Sequence, residues 1–409
     1  MCRLLVLKSF PAMERATAHE LQLARRMSRL GTETAFEVLN KARALERQGR
    51  SIIHLEIGEP DFDTPSNVVD AGITALRKGW THYGPSAGQP ELRQAIADYV
   101  SRTRGLKVSS DQVVVVPGGK PIIFFTILSL IDEGDEVIYP NPGFPIYESM
   151  INYVGGRAVP IQLREERDFS LDVDELASLI NDRTRLIIIN SPQNPTGGVL
   201  NRTDIERIAQ AIGDRNVMVL SDEIYSRLLF DGGQHFSIMS VPGMQERTIL
   251  LDGFSKTYAM TGWRMGYGVM RPDLATHMTR LMTNSNSCTA SFTQIAGVEA
   301  IKGDQTSVDR MRDEFQRRRD VFVAGLNKIK AFSCRMPKGA FYVFPNIKQT
   351  GWKSKPLADA LLEQTGVAAL SGTAFGYFGE GYLRFSVANS LENLQQALDR
   401  IDHWTTKNL

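Results

Sequence analysis

Val113-Val114-Val115-Val116-Pro117-Gly118-Gly119-Lys120 is the stretch that decides the fold. Four successive β-branched residues without polar alternation describe a strand covered on both faces. The Pro-Gly-Gly that follows turns the chain into an apolar helical run from residue 120 to about residue 131. The same alternation repeats along the chain. Glu136-Val137-Ile138-Tyr139, Leu186-Ile187-Ile188-Ile189, Val217-Met218-Val219-Leu220 and Thr248-Ile249-Leu250-Leu251 are all unbroken apolar strands separated by helical patterns. This predicts an α/β architecture with a doubly wound, largely parallel sheet. Upstream, Leu92, Ala95, Ile96, Tyr99 and Val100 mark one helix face. Downstream, Met311, Phe315, Phe322 and Leu326 lie in a charged background, as on a long half-exposed helix. The remainder reads as a smaller α/β unit ending in a helix near residues 394–404.

The chain has 409 residues, of which 42 % are hydrophobic and 23 % charged, enough for a large core. Its 47 Lys+Arg and 46 Asp+Glu leave a net charge of +1, without the basic excess that a nucleic-acid groove requires. No run approaches the roughly 18 apolar residues of a membrane span. Cys2, Cys288 and Cys334 are three, widely spaced and without a CxxC pair. They suggest neither a disulfide framework nor a metal site and fit a reducing cytoplasm. Leu4-Leu5-Val6-Leu7, flanked by Arg3 and Lys8, is too short for a secretory core, and Glu14 and Glu20 break a mitochondrial pattern. Residues 1–12 are expected to be a disordered lead-in, with Met13 or Met27 as an alternative start.

The chemistry is expected at the carboxyl ends of the strands, where ligands bind in open α/β sheets. Gly118-Gly119 joins a strand to a helix start, whose free N–H groups and dipole favour a phosphate. Asn190-Ser191-Pro192-Gln193-Asn194-Pro195-Thr196-Gly197-Gly198, Ser221-Asp222-Glu223-Ile224-Tyr225 and Gly253-Phe254-Ser255-Lys256 follow three further strands. Gly262-Trp263-Arg264-Met265-Gly266-Tyr267 comes close behind. Singly, these are a tight turn, a Pro/Gly loop, a helix cap and a solvated lysine. Together they supply an anion cradle, a polar amide, a carboxylate and an amine. That is the inventory for pyridoxal phosphate.

The set resembles the fold-type I pyridoxal-phosphate enzymes of the aspartate aminotransferase family, from about Met27 to the C-terminus. The match rests on Ser255-Lys256, Gly262 and Arg264 and on Asn194-Pro195-Thr196-Gly197. The resemblance implies that Lys256 carries the cofactor and shuttles the proton, and that Asp222 keeps the pyridine nitrogen protonated. It implies that Asn194 and Tyr225 contact the phenolic oxygen and that Phe144 stacks on the ring. Gly119, Lys120, Ser255 and Arg264 would clamp the phosphate. Arg384, in Tyr382-Leu383-Arg384-Phe385-Ser386, would grip the substrate α-carboxylate together with the N–H of Gly58, with Asn194 nearby. Tyr83 would reach the cofactor of a neighbouring subunit, making the active site a shared property of a homodimer. A large cofactor-binding domain is expected over residues 64–310, and a small α/β domain over residues 27–63 and 311–409, after a lead-in at residues 1–26.

Two positions depart from the family pattern. Gly253 stands where many relatives have a serine, and Pro121 follows Lys120 at a helix start that tolerates it. Gly118-Gly119-Lys120 is similar to a bacterial aspartate aminotransferase branch in which the lysine faces the substrate's distal carboxylate; a solvated helix-start lysine would read the same. The expected activity is ping-pong transfer from aspartate or glutamate to a 2-oxo acid such as 2-oxoglutarate. Transfer from neutral or aromatic amino acids, or C–S β-lyase chemistry, is the alternative on this fold. A regulator with an aminotransferase-like sensor is disfavoured by the intact Lys256 and the absence of room for a DNA-binding module before it.

Overall fold

The computed structural model describes residues 21–409, so the expectations for the first twenty residues lie outside the described residues. A two-residue strand β1 (Ile53–His54) precedes the main sheet. That sheet is built from β2 (Val113–Val116), β3 (Glu136–Asn141), β4 (Arg157–Gln162), β5 (Thr184–Asn190), β6 (Met218–Asp222), β7 (Thr248–Gly253) and β8 (Gly266–Val269). Its spatial order is β2-β8-β7-β6-β5-β3-β4. Only β8 pairs antiparallel, with β2 and β7; the other pairings are parallel.

Side-chain alternation explains why these strands are apolar without interruption. Val114, Val116, Leu186 and Ile188 join one core with the helices Lys120–Leu130, Ile146–Val154 and Pro272–Ser285. Their neighbours Val113 and Val115 face a second core, and Ile187 and Ile189 a third, on the opposite side of the sheet. With both faces covered, the inner strands have no solvent side to mark with polar residues; the edge strand β4 does, and exposes Arg157 and Pro160. The predicted helix face from Leu92 to Val100 is buried as expected, on helix Pro90–Arg104.

The C-terminal portion carries β9 (Tyr342–Val343), β10 (Val367–Ala368), β11 (Leu370–Ser371) and β12 (Leu383–Ser386). β12 pairs with β11 and β9, and β10 pairs with β1 from the N-terminal portion. The long charged helix spans Thr306–Leu326 and the last helix Leu391–Asn408, both longer than their apolar markers alone indicate. Leu383 and Phe385 of β12 point into the core that these helices share. Arg384 between them therefore points the other way, towards the main sheet. Among the described residues no helix is long and apolar enough to cross a membrane.

Candidate active site

One cavity of about 510 Å³ opens at the carboxyl ends of β5, β6 and β7. It is lined by Gly58, Gly119, Lys120, Phe144, Asn194, Asp222, Tyr225, Ser255, Lys256, Arg264 and Arg384. Every expected site residue except Tyr83 is thus gathered in one place. Tyr83 lies apart, with 89 % of its surface exposed.

Asp222 closes β6 and is buried. Tyr147 Oη donates to its Oδ2 at 2.5 Å, and the N–H of Ile224 donates to Oδ1 at 3.3 Å. Burial pushes the Asp222 carboxyl up to about 6, although both hydrogen bonds and the Lys256 charge oppose the rise. Lys256 follows β7 across the cavity. Its Nζ donates to the carbonyl of Gly58. Burial lowers its pKa to about 8, with Arg384 and Arg264 acting in the same direction and Glu59 against them. An amine so placed is partly neutral near physiological pH and can attack a carbonyl carbon.

Arg384 is 3 % exposed and sandwiched between Tyr342 and Phe375, with its guanidinium carbon 4.5 and 4.8 Å from the two ring centroids. Nη1 donates to Asn194 Oδ1 at 3.3 Å and Nη2 to the Glu56 carbonyl, while the buried Nε has no partner among the described residues. An unpaired buried donor on a fixed fork is what an incoming carboxylate would satisfy. Gly58 must be glycine here: a Cβ would lie 2.1 Å from Tyr342 Oη.

At the opposite wall, Gly118 has φ +83°, and a Cβ on it would lie 2.3 Å from Arg264 Nη2. Arg264 itself adopts φ +53°, unusual for a side chain of this size, and donates to the Thr261 carbonyl at 2.7 Å. The side-chain-free turn, the start of helix Lys120–Leu130, Ser255 and Arg264 form a cradle fitted to a phosphate. Gly253 is closely packed: a Cβ would meet Gly266 Cα at 3.0 Å and Ile224 Cδ1 at 3.2 Å, so a serine there would need a small shift of its neighbours.

Several functional contacts have no signal in the motifs. Tyr342 Oη meets Tyr225 Oη at 2.7 Å. Asn190 pins the loop that carries Asn194: its Oδ1 accepts from the Asn194 N–H at 3.0 Å and its Nδ2 donates to the Asp222 carbonyl at 3.1 Å. Lys120 Nζ donates to Glu33 Oε1, a residue the motifs do not single out, and lies 5.7 Å from the Phe144 ring centroid. Behind the cavity, Glu223 points to the other face of the sheet. There it accepts from Arg104 Nε at 2.9 Å, Ser221 Oγ at 2.9 Å and Ser237 Oγ, and meets His235 Nε2 at 2.8 Å.

Comparison with known proteins agrees with this geometry. A family profile described as "Aminotransferase class I and II" matches residues 50–401. The chain is similar to a Pyrococcus horikoshii aspartate aminotransferase, at 40 % identity over 90 % of this chain and 93 % of that one. It is 39 % identical to aromatic-amino-acid aminotransferase 2 of Thermococcus litoralis, over 86 % of this chain and 91 % of the relative. The crystal structure of the aspartate aminotransferase from Rhizobium meliloti superposes with a TM-score of 0.90 at 34 % identity, covering 95 % of this chain and 99 % of that chain. The matched profile spans the sheet, Lys256 and Arg384, and the chain belongs to the class I and II aminotransferase family, as an enzyme of the fold-type I α/β architecture.

Proposed function

We propose that the enzyme uses pyridoxal 5′-phosphate attached at Lys256 and moves the amino group of an L-amino acid to a 2-oxo acid by a ping-pong mechanism. The observation that carries this reading is a single cavity holding a buried amine, a buried carboxylate, an arginine with an open Nε and a glycine-turn anion cradle. When bound, the cofactor supplies an aldehyde for the amine and a ring that takes up the electrons left when the substrate's α-proton departs.

The chain's own residues do the rest. Gly119 and Lys120 through their backbone N–H groups, Ser255 and Arg264 hold the phosphate, and Phe144 covers one face of the ring. Asp222 keeps a proton on the ring nitrogen, and Tyr147 keeps Asp222 ionised. Asn194 and Tyr225 bond the phenolic oxygen. Lys256 Nζ, freed once the substrate amine takes its place, would take the proton from the substrate α-carbon and hold it for return. Arg384 and the Gly58 N–H fix the α-carboxylate, which aims the side chain away from the fork and towards Lys120.

Aspartate or glutamate as donor and 2-oxoglutarate as acceptor follow if Lys120 meets the distal carboxylate. A second reading, neutral or aromatic donors, is favoured by the Glu33 carboxylate on Lys120 and by Ala35, Phe36 and Ile123 in the same wall. Residues 27–63 with 311–409 form the smaller domain in this reading and close Gly58 and Arg384 over residues 64–310. Tyr83, exposed and aromatic, completes the site of a second copy in a homodimer. A panel of amino acids assayed with 2-oxoglutarate, oxaloacetate and pyruvate tests the proposal: donor-dependent formation of a new amino acid is expected. Release of pyruvate and thiol from a β-substituted amino acid, without need of an acceptor, would assign a β-lyase instead.

A further inference from the structure

We infer that Glu33 is a specificity-determining residue: its carboxylate occupies the lysine that a substrate's distal carboxylate would need, and so weights the enzyme towards neutral side chains. The inference rests on the reading above that Lys120 faces the substrate side chain.

Glu33 occupies the N-cap position of helix Thr34–Glu46, where a side chain ordinarily accepts from the free N–H groups of the first turn. It makes no such bond. Its Oε1 instead accepts from Lys120 Nζ, and both residues line the active-site cavity. The Glu33 side chain is 16 % exposed against 42 % for Lys120, so the carboxylate is the more enclosed partner. The segment is tied down just before it, where the Gly31 N–H donates to Ser149 Oγ at 2.9 Å. Burial lowers the pKa of Lys256 and of Arg384, and the charge of Glu33 opposes the shift at both, as expected of a carboxylate facing the site.

The charges of the cavity wall lead to the same place. Its cations are Lys120, Lys256, Arg264 and Arg384, and its carboxylates are Glu33, Glu59 and Asp222. With Arg264 on the phosphate, Arg384 on the α-carboxylate and Lys256 in proton transfer, Lys120 is, among the described residues, the cation left for a side chain. Glu33 already neutralises it. An acidic side chain must displace Glu33 or share the ammonium with it at the cost of like-charge repulsion. A neutral side chain leaves the pair intact and finds Ala35, Phe36 and Ile123 beside it. Because Lys120 is partly solvated, the bias is modest.

The test titrates the cofactor-loaded enzyme with succinate and with propionate by calorimetry. Both lack an amine, and they differ by one distal carboxylate. Glu33→Gln is expected to raise the preference for succinate over propionate about twofold to fivefold. The ratio of kcat/KM for glutamate to that for phenylalanine should rise in parallel. Glu33→Ala should move both ratios the same way. A rise with Gln alone would mean that a new amide donor is responsible and would overturn the inference, as would unchanged or lower ratios in both variants. Lys120→Ala separates the two levels of the argument. If it selectively weakens succinate while the Glu33 variants change nothing, Lys120 keeps its proposed role and the inference on Glu33 fails. If it weakens both ligands equally, the reading of Lys120 fails and the inference falls with it.

Discussion

Replacing Tyr147 by Phe removes one hydroxyl from a fully buried site and leaves the ring packing in place. That hydroxyl donates to Asp222 Oδ2 at 2.5 Å, and among the described residues the only other bond to the carboxylate is the 3.3 Å contact from the Ile224 N–H. A hydrogen bond to a charged group contributes about 1.5–3 kcal/mol, which is roughly one to two pKa units. In the cofactor-free protein, Tyr147→Phe should therefore carry Asp222 from about 6 upward by that amount, to near or above the assay pH. A carboxyl that holds its own proton no longer keeps one on the ring nitrogen, so the proton-transfer step slows. Single-turnover stopped-flow with a saturating donor should find the rate reduced by about ten- to a hundredfold, and partly restored as the pH is raised. The donor KM should change much less, because Arg384 and Gly58 are untouched. An unchanged rate with an unchanged pH profile would refute the claim that Tyr147 tunes Asp222, and a raised KM at constant rate would assign the hydroxyl to substrate placement.

Arg384→Lys keeps the charge but loses the fork, and should raise KM about ten- to a hundredfold for acidic and neutral donors alike, measured by steady-state kinetics. In the cofactor-free enzyme, modification of Lys256 by an amine-directed reagent, followed by peptide mapping, should be half-maximal near pH 8 rather than near 10.5. Glu223→Gln should cost about 3–5 kcal/mol of stability at neutral pH in denaturant titrations, because Arg104 is left buried without its closest carboxylate. Burial alone would raise the Glu223 pKa, but His235 and Arg104 hold it at about 2, below its ordinary 4.5. Its stabilisation is therefore complete above about pH 4.5 and lost as the pH falls towards 2, so wild type and variant should converge over that window.

Five strands of the main sheet were legible in the sequence because a strand covered on both faces is written as an unbroken apolar run; β4 and β8, with Arg157, Pro160, Gly266 and Gly268 in them, carry no such run. Val113–Val116 and Leu186-Ile187-Ile188-Ile189 are such runs, and Asn194, Asp222 and Lys256 follow from where the strands end. The C-terminal sheet was not. Its strands are two to four residues long, too short for any periodicity, and Arg384 was found by resemblance rather than by its place on β12. The contacts that tune the site were also hidden, because they join residues far apart in the chain. Tyr147 and Asp222 are 75 positions apart, Glu33 and Lys120 are 87, and Tyr225 and Tyr342 are 117. Nothing local to Glu33 distinguishes it from a carboxylate in the first turn of an exposed helix. Its role depends on the fold that brings it to Lys120.

Lys256, just beyond the end of β7, is expected to carry the cofactor. Incubation of the enzyme with pyridoxal 5′-phosphate, reduction with borohydride and peptide mass spectrometry test it most directly. One stoichiometric reduced pyridoxyl adduct is expected, on Lys256 Nζ and absent from Lys256→Ala. An adduct placed on Lys120 or on any other lysine, with Lys256 unmodified, would contradict it.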